Sequence, residues 1–408
     1  MRIIFVTPYI PSRIRVRPFQ LIKALSAAHE ISLVALLCDE YERGLVGDVA
    51  TYCASVDLVP LPRIRAYTNC LRALPTRLPL RVAYYQSPSF IKRIQHVINA
   101  RSIDIVHGEL IKVMPALRTV GIRQRLPVLY DSVDCISWYL EQQRSSAHNP
   151  LKKAFIATEL KKMRLYEPAM LAGVDRVAIT SQHDREVLLS LGVAPEHVQV
   201  VPNGVDLAYF TPPVGPRDSD ALVFCAKLDY YPNSQAILDF CREVLPRIWE
   251  QRPQVRLTIV GNNPPLAVRA LGADKRITVT GYVADTRPYL GAASLALAPL
   301  LVAAGMQNKV LEALAMGTPL VATPGSCRSL QVKDGEHLLV AEGARDYANA
   351  VLKLLASNEL ARRLGQAGRG YVERYHSWDA AATILNRLYE EMQAHRGQRD
   401  QDAALVLK

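Results

Sequence analysis

The chain has 408 residues, half of them apolar and 21% charged, with a net charge of +11 at pH 7. That length accommodates two ordinary domains with full cores, and the composition is normal for a globular protein. The longest apolar run, Leu295 to Met306, is shorter than the roughly 20 residues of a membrane span and contains Pro299. Seven cysteines, an odd number with no CxxC pair, point to free thiols in a reducing cytosol rather than to a zinc or disulfide framework. The basic excess fits a solvated surface, an anionic nucleotide or an anionic membrane face. No RRM-like, zinc-finger or helix-turn-helix signature is present, so nucleic acid is not an expected partner.

The opening MRIIFVTPYIP reads as a buried strand over Arg2–Thr7 and a loop, not as a secretory signal. Pro8–Pro18 is an arginine-rich loop holding Arg13, Arg15 and Arg17. Guanidinium groups bind phosphate or carboxylate bidentately, so this loop is either a site for an anionic ligand or a solvated basic loop. A helix follows over Phe19–Ala28 and a strand over Ile31–Leu37. Residues 63–93 mix arginine with tyrosine, leucine and proline.

The strand at Ile103–His107 places His107 at its carboxyl end, where it is either structural or functional. Pro127–Asp131 is the next strand, and YDSVDCISW continues from it. Asp131, Asp134 and Trp138 either face a ligand, or Asp134 caps a helix while Trp138 packs in the core. The helix over 151–166 carries Lys152, Lys153, Lys161 and Lys162 beside Leu151, Phe155, Ile156 and Leu160. Basic amphipathic surfaces of this kind suit an anionic membrane face. Strands at Arg176–Thr180 and Val198–Pro202 complete the first half.

The segment 202–219, PNGVDLAYFTPPVGPRDS, has linker composition. Strands then recur at Ala221–Lys227, Val255–Gly261, Arg276–Thr280, Ser294–Pro299 and Pro319–Thr323, with helices over 233–249, 264–271, 285–292 and 306–316. Near-continuous apolar strands separated by helices imply parallel sheets covered on both faces. The expected fold is therefore α/β, two doubly wound Rossmann-like domains. Their expected spans are 1–205 with a returning helix at 377–395, and 206–376, followed by a loose polar tail over 396–408.

The richest stretch is Leu295–Thr323, a strand, turn, helix, glycine and strand. Gly305 is placed where the helix begins and Gly317 just past its end. Lys309 and Glu312 share a face away from the buried stripe of Val310, Leu311 and Leu314. A helix N-terminus suits a diphosphate, with Lys309 adding a point charge and Glu312 accepting from ribose hydroxyls. The same spacing also describes a solvated Lys–Glu pair.

The run GMQNKVLEALAMGTPLVAT resembles the donor-nucleotide motif of retaining GT-B glycosyltransferases of the bacterial family-four group. PNGVD (202–206), FCAKLDYYPN (224–233) and TGYVADTRPYL (280–290) follow in the family's order, and the wording is similar to that of exopolysaccharide-cluster sugar transferases. The resemblance implies a retaining transfer of sugar from a nucleotide donor to a glycan, lipid-linked or small-molecule acceptor. It implies a GT-B fold, no cofactor and no metal. It also implies a cytoplasmic enzyme, which can be peripheral on the inner face of the cell membrane.

By the same resemblance, Lys227 and Lys309 hold the diphosphate, Glu312 the ribose, and His107 the donor sugar. Asn203, Gly204, Tyr282, Val283, Gly305, Met306, Gln307 and Asn308 line the nucleotide. Arg13, Arg15, Arg17, Asp131 and Asp134 lie on the acceptor side. Ala304 stands where the family usually has a glutamate that holds donor-sugar hydroxyls. A second basic residue usual after Lys227 is missing, and Lys309 is expected to take over its phosphate contact. A silent scaffold subunit or a sugar-nucleotide epimerase is the alternative. A dinucleotide oxidoreductase is not expected, because no GxGxxG follows the first strand.

Overall fold

The computed structural model describes the backbone of residues 1–13, 15–124, 126–145, 149–300 and 305–406, and side chains for the same residues except 121–124 and 397–406. Ala304, and with it the place of the usual glutamate, lies outside the described residues. The chain divides into two compact units, Met1–Pro202 with Ala381–Lys408, and Asn203–Ala380.

Unit 1 is built on a seven-stranded sheet of β1 (Arg2–Thr7), β2 (Glu30–Leu37), β3 (Ser55–Pro60), β4 (Ile105–Glu109), β5 (Val128–Val133), β6 (Arg176–Ile179) and β7 (Val198–Val200), in the order β3-β2-β1-β4-β5-β6-β7. All of its strand pairings are parallel. β1 and β2 are buried along nearly their whole length. A strand buried on both faces carries apolar residues on both sides of the pleat, which is why these segments lack a two-residue alternation.

Unit 2 holds a six-stranded sheet of β8 (Asp218–Cys225), β9 (Arg256–Val260), β10 (Ile277–Gly281), β11 (Ala293–Ala298), β12 (Leu320–Ala322) and β13 (Leu339–Val340), in the order β10-β9-β8-β11-β12-β13, again parallel. Alternate residues feed two cores. Leu222, Phe224, Leu257, Ile259, Leu295 and Leu297 pack on one face. Val223, Cys225, Val260, Ala296 and Ala298 pack on the other, against Val310, Leu311 and Leu314 of the helix Asn308–Ala315. Each buried Val, Leu, Ile or Phe side chain among them contributes about 1.5–3 kcal/mol.

In each sheet the strand order reverses once, between β1 and β4 and between β8 and β11. The loops leaving such a pair diverge and open a recess at the carboxyl edge. Several expectations need adjustment. β3 and β13 were not foreseen. The helix expected over 233–249 comprises the α-helix Tyr231–Asp239, a π-turn Phe240–Val244 and the α-helix Leu245–Gln251. The last helix starts in unit 2 at Trp378 and runs to Val406 in unit 1, through most of the stretch expected to be a loose tail. No helix among the described residues is long and apolar enough to cross a membrane.

Candidate functional site

In unit 2 the switch point joins the ends of β8 and β11. The helix after β11 begins at Asn308, not at Gly305, and its N-cap Gln307 offers no side-chain cap. Gly305 precedes it with φ +65°, a conformation that a side chain would strain. Its carbonyl accepts from Ser329 Oγ at 2.9 Å. At the far end Gly317, φ +59°, closes a Schellman turn, with Gly317 N donating to Leu314 O and Thr318 N to Ala313 O, both at 2.9 Å. The helix is thus firmly terminated at its C-terminus, and its start lies at the carboxyl edge of the sheet, after β11.

Lys309 is half-buried and its Nζ donates to Asn233 Oδ1 at 2.6 Å. Asn233 in turn donates from Nδ2 to the Lys227 carbonyl at 2.8 Å. One buried amide therefore ties the two strand-end loops together. Burial lowers the Lys309 pKa to about 7 and raises that of Glu312 to about 7, while the attraction between them opposes both shifts. The Lys227 side chain points outward, 72% exposed, and lies 3.6 Å from Asp229. Its loop is held close to β9 because Gly261 has no Cβ: one there would sit 1.9 Å from the Ala226 carbonyl.

Asn203 Nδ2 reaches Asn308 Oδ1 at 3.4 Å. Gly204 packs on the start of the last helix, where a Cβ would meet Trp378 N at 2.6 Å, so its small size serves packing. Met306 and Val283 pack against the apolar cluster beneath the helix. Tyr282 is exposed and lines a pocket of about 600 Å³ with Asn262, Asn263, Thr280 and Gly281 at the edge of β9 and β10. Among the described residues no group of three potential metal ligands occurs.

Unit 1 corrects several expectations. His107 does not point out from its strand. It is 1% exposed, stacked on Phe5 at 4.2 Å, with Nδ1 hydrogen-bonded to Tyr389 OH at 2.6 Å and Nε2 3.7 Å from Asp131. Burial lowers its pKa, so the ring is a neutral internal strut. Arg17 belongs to the helix Val16–Leu25 rather than to a loop, and its guanidinium is buried in a bidentate contact with Asp131 at 2.8 and 3.0 Å. Arg13 is exposed beside Asp48 at 3.1 Å, and Arg15 pairs with Glu42.

Asp134 does not cap the helix Ile136–Ser145. Glu167, from the helix Pro150–Leu171, accepts from Ile136 N and Ser137 N at 2.8 and 2.9 Å. Burial and the nearby Asp184 raise the Asp134 pKa to about 7. Trp138 is half-buried, edge-on to His183 at 5.1 Å. Asn233, which ends the run FCAKLDYYPN, and Glu109, which ends β4, were given no role of their own from the sequence; in the structure Glu109 closes a fully buried strand.

Residues 14–204 match the model described as "Glycosyl transferase 4-like domain", and residues 219–357 match "Glycosyl transferases group 1". The D-inositol 3-phosphate glycosyltransferase of Corynebacterium jeikeium is 26% identical over 271 residues, which are 59% of this chain and 64% of that protein. The phosphatidyl-myo-inositol mannosyltransferase of Mycobacterium leprae is 28% identical over 227 residues, 53% of this chain and 59% of that one. The chain thus spans about three-fifths of the curated relatives it matches. HepE of Anabaena, solved in complex with UDP, superposes with a TM-score of 0.69 at 13% identity, covering 96% of this chain and 100% of that one.

Two parallel-sheet Rossmann-like domains of this kind define the GT-B class. Within that class, the two models that span most of its length place the chain in the glycosyltransferase group 1 and 4-like family.

Proposed function

We propose that the protein transfers a sugar from a nucleotide-diphosphate sugar to an acceptor, with retention at the anomeric carbon and without a metal ion. The observation that carries this reading is Lys309, held by Asn233 at the uncapped start of a helix on the switch point of unit 2. The helix N–H groups and Lys309 supply preorganised positive charge for the leaving diphosphate. Lys227, on the neighbouring loop with an exposed side chain, swings onto the same group. Glu312 accepts from the ribose, and the loop at Gly281–Val283 borders the base. Asn203, Gly305, Met306, Gln307 and Asn308 form the remaining wall, with Gly204 setting the loop that carries Asn203.

The acceptor is lipid-linked in this reading, and unit 1 rests on an anionic membrane face. Ile64, Tyr67 and Leu71 on the helix Arg63–Ala73 are exposed, as are Leu151, Phe155 and Leu165 on the helix Pro150–Leu171. Lys162 Nζ joins the two helices by donating to Ala73 O at 3.2 Å and Leu74 O at 3.3 Å. Exposed Arg65, Arg72, Lys152, Lys153 and Lys161 surround them. Apolar side chains ringed by cations suit an anionic interface.

Thermal-shift measurements test the donor site: UDP or GDP stabilises the protein, NAD does not, and radiolabelled nucleotide sugar with a membrane lipid extract gives a labelled product that survives EDTA. Absence of any nucleotide shift sinks the reading. Flotation with vesicles that lack or contain phosphatidylglycerol tests the membrane contact, which fails if anionic lipid makes no difference.

A further inference from the structure

The switch point of unit 1 holds side chains that the nucleotide reading leaves without a role. Tyr9 follows β1 and Glu109 ends β4, its parallel neighbour. The Arg15 guanidinium lies over the Tyr9 ring at 4.2 Å and is ion-paired with Glu42. The Tyr9 hydroxyl and the Glu109 carboxyl act on each other electrostatically. Lys112, just beyond Glu109, donates to Tyr85 OH at 3.2 Å.

Three ionisable side chains in this patch each keep one buried atom with no hydrogen-bond partner among the described residues: Arg15 Nη1, Glu42 Oε2 and Glu109 Oε2. Glu109 is only 2% exposed. Leu110 and Val133, at the ends of adjacent strands β4 and β5, have φ of 67° and 61°. Left-handed backbone at leucine and at a β-branched residue is a strain that concentrates at binding and catalytic sites.

These buried, unpartnered atoms select a ligand chemistry. A phosphate or carboxylate brings acceptors only and meets the Glu42 carboxylate with like charge. A sugar hydroxyl both donates and accepts, so neighbouring hydroxyls can serve two carboxyl oxygens and a guanidinium N–H together. We propose that Tyr9, Arg15, Glu42 and Glu109 form an acceptor subsite that takes an uncharged polyhydroxylated ring, a sugar or cyclitol, rather than an anionic group. This rests on the glycosyl-transfer reading and names the substrate class of its second site.

Burial and Asp131 on β5 push the Glu109 pKa up to about 8, against Arg17 from the helix Val16–Leu25, Tyr9 from the loop after β1, and Lys112 from the turn after β4. At neutral pH Glu109 therefore holds its proton and offers a donor as well as an acceptor. Above pH 8 the donor is lost.

Calorimetric titration of the full chain, with and without UDP, uses methyl α-glucopyranoside and myo-inositol as neutral probes and D-inositol 3-phosphate as the anionic one. The neutral probes bind. Glu42→Ala and Glu109→Ala weaken that binding about tenfold or more, as expected when a buried polar partner is lost. Glu109→Gln, which mimics the protonated acid, stays within about threefold of the wild type at pH 7. Wild-type affinity falls above pH 8 while that of Glu109→Gln stays level. At any one pH the UDP-induced thermal shift is the same in the variants as in the wild type. A wild type that binds no UDP defeats the transferase reading. Intact UDP binding defeats the subsite alone if it comes with no neutral-probe binding, with preference for the phosphorylated probe, or with a level wild-type pH profile. Should Glu109→Ala not fold, Glu109→Gln and the wild-type profile still decide.

Discussion

The Nζ of Lys309 donates to the side-chain carbonyl of Asn233 at 2.6 Å, across the boundary between two strand-to-helix turns that lie 76 residues apart. The amine is thus already fixed where a diphosphate can replace a single neutral acceptor. Removing it in Lys309→Ala takes away a charge-assisted hydrogen bond of about 1.5–3 kcal/mol, a loss of roughly ten- to a hundredfold in affinity. Titration with UDP or GDP checks this, with Lys333→Ala as the control. Lys333 pairs with Glu336 on a loop outside the recess, and equal losses in the two variants would falsify the assignment.

The burial that lowers Lys309 to about pH 7 makes nucleotide binding proton-linked. A bound diphosphate restores the ammonium, so the complex takes up a proton at and above neutrality. Affinity is greatest below pH 7 and declines as pH rises through it. Calorimetry at pH 8 in two buffers of different ionisation enthalpy reads the proton directly. Identical enthalpies in both buffers contradict it.

Asn233→Asp keeps the shape of the link but makes the acceptor anionic. The new carboxylate raises the Lys309 pKa and competes with the diphosphate for it. Nucleotide affinity drops, and the proton uptake just described shrinks because Lys309 is charged before the ligand arrives. If binding strengthens instead, Asn233 does not face the diphosphate.

His107→Ala costs stability rather than nucleotide binding. It removes a stacked ring and a buried hydrogen bond, about 2–4 kcal/mol, and lowers the melting temperature while leaving the UDP shift intact. Asp131→Ala is harsher, about 3–5 kcal/mol, because Arg17 is left charged and buried without its bidentate partner. A variant with wild-type stability and lost turnover would return His107 to the reaction.

Gly261→Ala drives a methyl group into the Ala226 carbonyl and moves the loop that carries Lys227. Weaker nucleotide binding with a modest loss of stability is expected. Gly47→Ala, at a site with open space around it, is the matched control.

Much of the fold was legible because parallel strands buried on both faces appear as unbroken apolar runs, as at Arg2–Thr7 and Ile31–Leu37. β3 escaped because its residues are mostly half-buried and interrupted by Asp57, the signature of an edge strand. β13 has only two residues and owes its place to β12 beside it. The helix with Lys309 and Glu312 was readable from its glycine stop and apolar stripe. Asn233 and Glu167 were not, because each acts on a partner far away in sequence, and local spacing carries no record of that. His107 misled for the opposite reason. Its position at a strand end suggested exposure, while Phe5 and Tyr389, which enclose it, come from the two ends of unit 1.

Tyr389 hydrogen-bonds to a ring 282 residues earlier in the chain, so the core around Phe5 cannot be finished until the ribosome has made the whole of unit 2. Unit 1, begun before unit 2, is therefore completed only after it. Its half-built sheet must wait with an aromatic face uncovered while some 180 residues of intervening chain emerge and fold, a delay of about 9–36 s at ordinary elongation rates. Nascent chains truncated before residue 389 should be the preferred clients of chaperones that shield apolar surface.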